Sequence, residues 1–152
     1  MNSPLVSHTE ISPNRTTPRN HKIDTITIHC TADHINVRAL GELFSAKGRM
    51  ASSNYGIDDL GHIALYVDEA DRSWCSSNAA NDNRAVTIEV SSDDTAPYAV
   101  TAEAFSSLIY LVADICKRNG IQKLRWFHDK TLVGKLDDKG EPLQNMTLHK
   151  WF

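Results

Sequence analysis

Two histidines stand at positions where a chain of this kind can do chemistry. His29 ends the run Ile23-Asp24-Thr25-Ile26-Thr27-Ile28-His29, and His149 lies close to the last residue in Asn145-Met146-Thr147-Leu148-His149-Lys150-Trp151-Phe152. Neutral imidazole is a good ligand for a borderline-soft cation, so a pair of this kind is the start of a zinc site. Such a site needs a third protein ligand, and no cysteine spacing advertises one. Cys30, Cys75 and Cys116 are odd in number and form no CxxC, which argues against a disulfide framework or a cysteine-rich metal cluster. Alternation turns Cys30 away from His29. Cys116 falls on the apolar face of a predicted helix, and Cys75 carries no assignment.

The elements that must position the histidines follow from periodicity. Residues 23–29 alternate apolar and β-branched polar side chains, which predicts a strand with Ile26 and Ile28 on one face. Val37 to Lys47 reads as a helix carrying Val37, Leu40, Leu43 and Phe44 on one side and closed by Gly48. Asn54–Ile57 and His62–Val67 read as strands joined by a turn at Asp58-Asp59-Leu60-Gly61. Residues 71–84 read as loop, and Ala85–Val90 as a strand with Val86, Ile88 and Val90 on one face. Thr101 is placed to cap a helix that carries Phe105, Leu108, Ile109, Val112, Ile115 and Cys116 and ends at Gly120. Leu124–Phe127 reads as a short final strand and residues 129–145 as a long polar loop. Residues 1–22 form an N-terminal arm, rich in Pro, Ser, Thr and Asn over its first twenty positions.

Strands alternating with helices predict an α/β fold: a single domain with a central mixed sheet flanked by helices, and a groove at the strand ends. The length of 152 residues suits one domain. A hydrophobic share of 41% and a charged share of 23% describe an ordinary globular protein. The net charge of −3 gives no electrostatic case for nucleic acid or an anionic membrane. No apolar run approaches the ~20 residues of a membrane span, and the N-terminus lacks the apolar core of a signal peptide.

Four segments, Ile26-Thr27-Ile28-His29-Cys30-Thr31-Ala32, Ser52-Ser53-Asn54-Tyr55-Gly56-Ile57, Ala85-Val86-Thr87-Ile88-Glu89-Val90 and Asn145-Met146-Thr147-Leu148-His149-Lys150-Trp151-Phe152, occur together in order. In this register the chain resembles the zinc-dependent N-acetylmuramoyl-L-alanine amidases of the type-2 family, which includes phage endolysins and peptidoglycan recognition proteins. The resemblance implies a catalytic domain over 23–152, Zn2+ as cofactor with His29 and His149 as ligands, and bacterial peptidoglycan as partner. It implies that Tyr55 lines the catalytic pocket and that Glu89 positions or deprotonates the attacking water. In the family a third ligand, Cys or Asp, lies some residues past the second histidine. Here that position falls beyond Phe152, so the expectation is a domain truncated at its C-terminal end; should the third ligand lie inside the chain instead, the candidates are Cys30, Cys75 or an aspartate of residues 129–138.

The implied chemistry is coherent. Zinc lowers the pKa of its water to about 7 and polarises a carbonyl. Glu89 is suited to take the water proton and pass it to the leaving amine. A Tyr55 hydroxyl aimed at the oxyanion would contribute ~3 kcal/mol. Glu89 faces away from Ile88 and Val90, so it is either a solvent-face residue or a buried carboxylate with a reason to be there. Trp74 and Asn78 are candidates for a sugar- or peptide-contacting wall, and Asn54 and His128 for further substrate contacts. His8, His21, His34 and His62 read as surface residues. The expected activity is hydrolysis of the amide between N-acetylmuramic acid and L-alanine, the alternative a non-catalytic peptidoglycan-binding module. Without a signal peptide, the expected setting is an endolysin made in the cytoplasm that acts at the cell wall, with a possible C-terminal wall-binding domain outside this chain.

Overall fold

The computed structural model describes residues 1–152. Eight strands and three α-helices follow one another as β1 (His8–Thr9), β2 (Arg15–Thr16), β3 (Thr25–Cys30), α1 (Val37–Ser45), β4 (Tyr55–Ile57), β5 (Ile63–Leu65), β6 (Arg72–Ser73), α2 (Ala79–Arg84), β7 (Ala85–Val90), α3 (Ala102–Asn119) and β8 (Met146–Leu148). Six strands form one sheet in the order β1-β5-β4-β7-β3-β8, and β2 pairs with β6 in a separate antiparallel ribbon. Only β4 and β5 run antiparallel within the large sheet; its other neighbours are parallel. The mixed α/β sheet expected from the sequence is present.

One face of the sheet is dry. Ile26, Tyr55, Ile57, Ile63, Leu65, Val86, Ile88 and Val90 pack there on Ala104, Leu108, Leu111 and Ile115 of α3. α3 starts where Thr101 Oγ1 accepts the Ala104 amide at 3.1 Å. It ends at Gly120, whose φ of 70° lets the chain turn left-handed without a Cβ penalty. The opposite face is divided. α1, capped by Asn36 Oδ1 on the Arg38 and Ala39 amides, covers one half with Val37, Leu40 and Phe44 against Ala64 and Tyr66. Tyr66 occupies the space that a side chain at position 56 would need: a Cβ on Gly56 would meet its ring at 2.5 Å. The other half is polar. Thr27 and Thr147 share a hydrogen bond at 2.8 Å, and Asn81 of α2 bonds to both hydroxyls.

Three predicted elements differ. Residues 71–84, read as loop, contain β6 and the short helix α2, which carries no apolar stripe to betray it. Leu124–Phe127 is not a strand; the sixth sheet position is taken by Met146–Leu148, and Arg125 instead accepts the Asn145 and Met146 amides as a turn-like clasp. The first helix stops at Ser45, and Lys47–Arg49 form a separate 3₁₀ turn.

The N-terminal arm is built into the same unit. β1 extends the sheet edge beside β5, and Ser3, Ser12 and Asn14 are buried. Its first residues rest on a buried charge network. Glu69 is 2% exposed and takes a two-pronged hydrogen bond from Arg118 at 2.7 and 2.9 Å. The Tyr55 hydroxyl donates to the same carboxylate at 2.6 Å and accepts from the Ser3 amide at 2.8 Å. Arg118 also donates to the Met1 carbonyl. These bonds to Glu69 and Asp114 raise the Arg118 pKa beyond its ordinary value. Removing the cation strands a desolvated carboxylate, so Arg118→Ala is expected to cost about 3–5 kcal/mol. Urea denaturation followed by circular dichroism measures it, and a loss below about 1 kcal/mol would show that the pair is not needed.

Candidate metal centre

The site is a row across three parallel strands. β3 and β7 are in register with His29 opposite Glu89, and β3 and β8 with Ile28 opposite Leu148, so the next residue, His149, emerges beside His29. Side chains in register on neighbouring strands share a face. Glu89, His29 and His149 therefore stand side by side at the C-terminal mouths of β7, β3 and β8, on the face opposite α3. His29 Nδ1 lies 2.7 Å from Glu89 Oε1 and 2.9 Å from His149 Nδ1. The two imidazole rings meet edge to face at a centroid distance of 4.1 Å.

Cys75 completes the cluster. Its Sγ and the ring nitrogens of His29 and His149 all lie within 4.8 Å of one another. Sγ is 3.9 Å from Glu89 Oε1. The loop that carries it is tied down by Asp82 in α2, whose carboxylate accepts the Cys75 amide at 3.1 Å and the Ser76 hydroxyl at 2.6 Å. Burial pushes the Asp82 carboxyl above its ordinary range although those bonds oppose the shift.

The donor set fits a cation. His29 Nδ1 can carry one hydrogen at most, yet Glu89 Oε1 and His149 Nδ1 both lie within bonding distance of it. Glu89 is 8% exposed and its Oε2 is buried with no hydrogen-bond partner, which is costly unless something else occupies the site. Burial, followed by the neighbouring His29, lowers the His149 pKa, which favours the neutral imidazole a metal requires. Burial, followed by Glu89, raises the Cys75 thiol well above its ordinary value, so a thiolate there calls for a cation beside it. Two imidazoles and a sulfur are the ligand chemistry of zinc.

Two grooves meet at the histidine pair. The first, about 290 Å³, continues past Glu89 and Cys75 to Leu40, Phe44, Arg49 and Trp74. The second, about 480 Å³, is bounded by Ala32, Pro97, Tyr98, Leu148 and Lys150. His29 and His149 line both.

The other candidate residues divide. Trp74 stands in the wall of the first groove, its indole NH donating to Thr16 Oγ1 at 2.9 Å. Asn78 lines an adjoining depression with Trp74, while its Oδ1 caps α2 on the Asn81 amide. Tyr55 belongs elsewhere. Strand alternation sends it to the α3 face, it is fully buried, and its hydroxyl is committed to Glu69 and Ser3. Burial, with Glu69 beside it, holds that phenol far above its usual pKa. Tyr55 therefore does not line the catalytic pocket and has no hydroxyl to offer an oxyanion there. Asn54 is also fully buried; it bonds the Val67 and Asp68 carbonyls and the Thr87 amide, and so locks the segment after β5 to the sheet. His128 is exposed and stacks on Trp126 at 5.3 Å, outside both grooves. Asp82 and Arg49 are what reading the sequence missed, and of the in-chain candidates Cys30, Cys75 and an aspartate of residues 129–138 it is Cys75 that the fold brings to the histidines. Cys75 follows Trp74 in a stretch with no ligand spacing, and only the fold brings it to His29.

No match was found among curated protein sequences. Solved structures share the fold. A mutant endolysin from Bacillus subtilis superposes with a TM-score of 0.67 at 17% identity, over 97% of this chain and 86% of that one. The endolysin N-acetylmuramoyl-L-alanine amidase LysCS from Clostridium intestinale gives 0.64 at 17% identity, over 98% and 84%. The Staphylococcus aureus hydrolase AmiA, solved with its ligand, gives 0.64 at 17% identity, over 98% and 67%. The profile of the N-acetylmuramoyl-L-alanine amidase family matches residues 19–142, which include His29, Cys75 and Glu89. With that match over most of its length, and with the row of Glu89, His29 and His149 at the mouths of its parallel strands, the chain belongs to the N-acetylmuramoyl-L-alanine amidase family.

Proposed function

We propose that the protein is a zinc-dependent peptidoglycan hydrolase that cleaves the amide between N-acetylmuramic acid and the L-alanine of the stem peptide. The observation that carries this reading is the convergence of His29, His149 and Cys75 beside a buried carboxylate with one unpartnered oxygen. His29 and His149 supply nitrogen donors and Cys75 the sulfur, so a third ligand is available within the chain. When bound there, zinc supplies an acidified water and polarises the amide carbonyl.

The chain's own groups perform the proton work. Glu89 Oε2 is free to accept a hydrogen bond from the attacking water, since only Oε1 is engaged by His29. It takes the water proton as the tetrahedral centre forms and returns it to the departing alanine nitrogen. The His29 contact at Oε1 holds the carboxylate beside the histidine pair, where Glu89 lines the groove. Leu40, Phe44 and Trp74 wall that groove and exclude bulk water around the reacting bond. Structural neighbours that are an N-acetylmuramoyl-L-alanine amidase and an endolysin support the choice of substrate, as does the family profile.

Three outcomes are expected. Purified protein binds one zinc per chain by elemental analysis, releases new N-terminal alanine from sacculi, and loses both properties in His29→Ala; full zinc occupancy in that variant would overturn the ligand assignment. Glu89→Gln keeps zinc and fold while turnover on sacculi falls ~10²-fold or more. A change of only a few-fold would remove Glu89 from the proton path. Tyr55→Phe leaves turnover within a few-fold but lowers stability by about 1–2 kcal/mol, because the Ser3 amide and Glu69 each lose a partner. A large loss of turnover with unchanged stability would return the tyrosine to the site.

A further inference from the structure

The substrate proposed above has two chemically unlike halves, and the grooves that meet at the histidine pair are unlike too. In the intact substrate the lactyl carboxyl of the sugar is consumed in the amide. The glycan half is then neutral around the scissile bond, and the peptide half carries the free carboxylates. The first groove holds a cation with no partner. Arg15, Arg84, Arg118 and Arg125 are each ion-paired to a carboxylate of the chain, whereas Arg49 lines the groove and its guanidinium has no ion pair, although Asp33 and Glu89 line the same groove. Its backbone is held in place: Lys47–Arg49 form a 3₁₀ turn, the Arg49 amide donates to the Ala46 carbonyl at 2.9 Å, and Met50 follows in the left-handed region at φ 55°. The walls beside it, Leu40, Leu43 and Phe44, are apolar and suit a small side chain such as alanine's methyl.

We infer that Arg49 is a specificity-determining residue: it receives a free carboxylate of the stem peptide, that of the acidic residue after alanine, and so places the peptide half in the first groove and the sugar in the second. A guanidinium presents a planar fork of donors that matches a carboxylate two-on-two, and an unpaired one has no internal bond to break before it binds. The second groove, bounded by Pro97, Tyr98 and Leu148, offers an aromatic and aliphatic surface suited to the apolar face of a neutral sugar. Lys150 also borders that groove and is the competing cation. Its ammonium is a strongly hydrated point charge without the fork.

The inference rests on the proposed hydrolase, and two measurements keep the two apart. The first needs no catalysis. Binding of the released stem tripeptide to zinc-loaded protein is followed by calorimetry, with D-glutamate at its second position or with the amidated D-isoglutamine. The acid form is expected to bind roughly 10-fold tighter. Arg49→Gln erases that difference, Arg49→Lys restores part of it, and Lys150→Gln leaves it intact. The second measurement is cleavage of the corresponding muramyl tripeptides, where Arg49→Gln raises KM for the acid substrate with little change in kcat. Equal binding of both peptides, no binding of either, or loss of the preference in Lys150→Gln instead of Arg49→Gln overturns the inference. Failure to cleave either muramyl peptide while the binding preference stands overturns the hydrolase reading and leaves Arg49 as a peptide-recognition residue.

Discussion

Everything at the candidate centre depends on the register of three parallel strands. β7, β3 and β8 are paired so that Glu89, His29 and His149 occupy one line at their C-terminal ends. Neighbouring strands sit about 4.8 Å apart, close enough for in-register side chains to share a ligand or a hydrogen bond. A slip of one residue in any of the three would send one of these groups to the α3 face, among Ile28, Ile88 and Val90. Register is held from both sides of the sheet. On the dry face the apolar side chains interlock with α3, and on the other face hydrogen bonds among Thr27, Thr147 and Asn81 tie β3, β8 and α2 together.

That polar layer explains a composition that looks unfavourable for a core. Thr27, Thr87, Thr147, Asn81 and Asp82 are all buried, yet each has a hydrogen-bond partner. Burying polar groups costs little only when they are satisfied, so such a network favours one arrangement over many. Asp82 links this layer to the site directly, since it holds the backbone of the loop that presents Cys75. The exception within the same face is Glu89 Oε2, which is buried and unsatisfied. In a face otherwise paired, an orphaned oxygen next to two histidines and a thiol marks the point where the protein expects something from outside the chain.

The two faces also separate stability from chemistry. The buried carboxylate on the α3 side, Glu69, is paired with Arg118, Tyr55 and Asn119 and anchors the first residues of the chain. The buried carboxylate on the other side, Glu89, has one oxygen on a histidine and one free. Glu89 stands between Ile88 and Val90 in a strand and Glu69 between Asp68 and Ala70 in a loop, and neither setting reveals the partner. Their partners come from elements far along the chain, α3 in one case and β3 in the other.

Much of the fold was legible in the residues themselves, because period-two alternation in Thr25–Cys30 and Ala85–Val90 and helical spacing in Val37–Ser45 and Ala102–Asn119 are local properties. The two histidines were legible for the same reason: one ends a clear strand, and both stand within recognisable family segments. α2 and β8 were not. A six-residue helix without an apolar stripe and a three-residue strand carry too little periodicity to be seen, and both are held by tertiary hydrogen bonds to Thr27 and to β3. Tyr55 and Asn54 looked equally available to substrate as letters, but alternation and burial placed them in the core. Cys75 had no spacing to recommend it and is brought to the histidines only because Asp82 folds its loop back over the sheet. Sequence pattern determined which segments form strands and helices and which way their side chains alternate. Only the tertiary structure decided which strand neighbours which, and so which donors meet, because pairing partners remote in sequence are chosen by packing and hydrogen bonding across the whole sheet and leave no periodic mark on either segment alone.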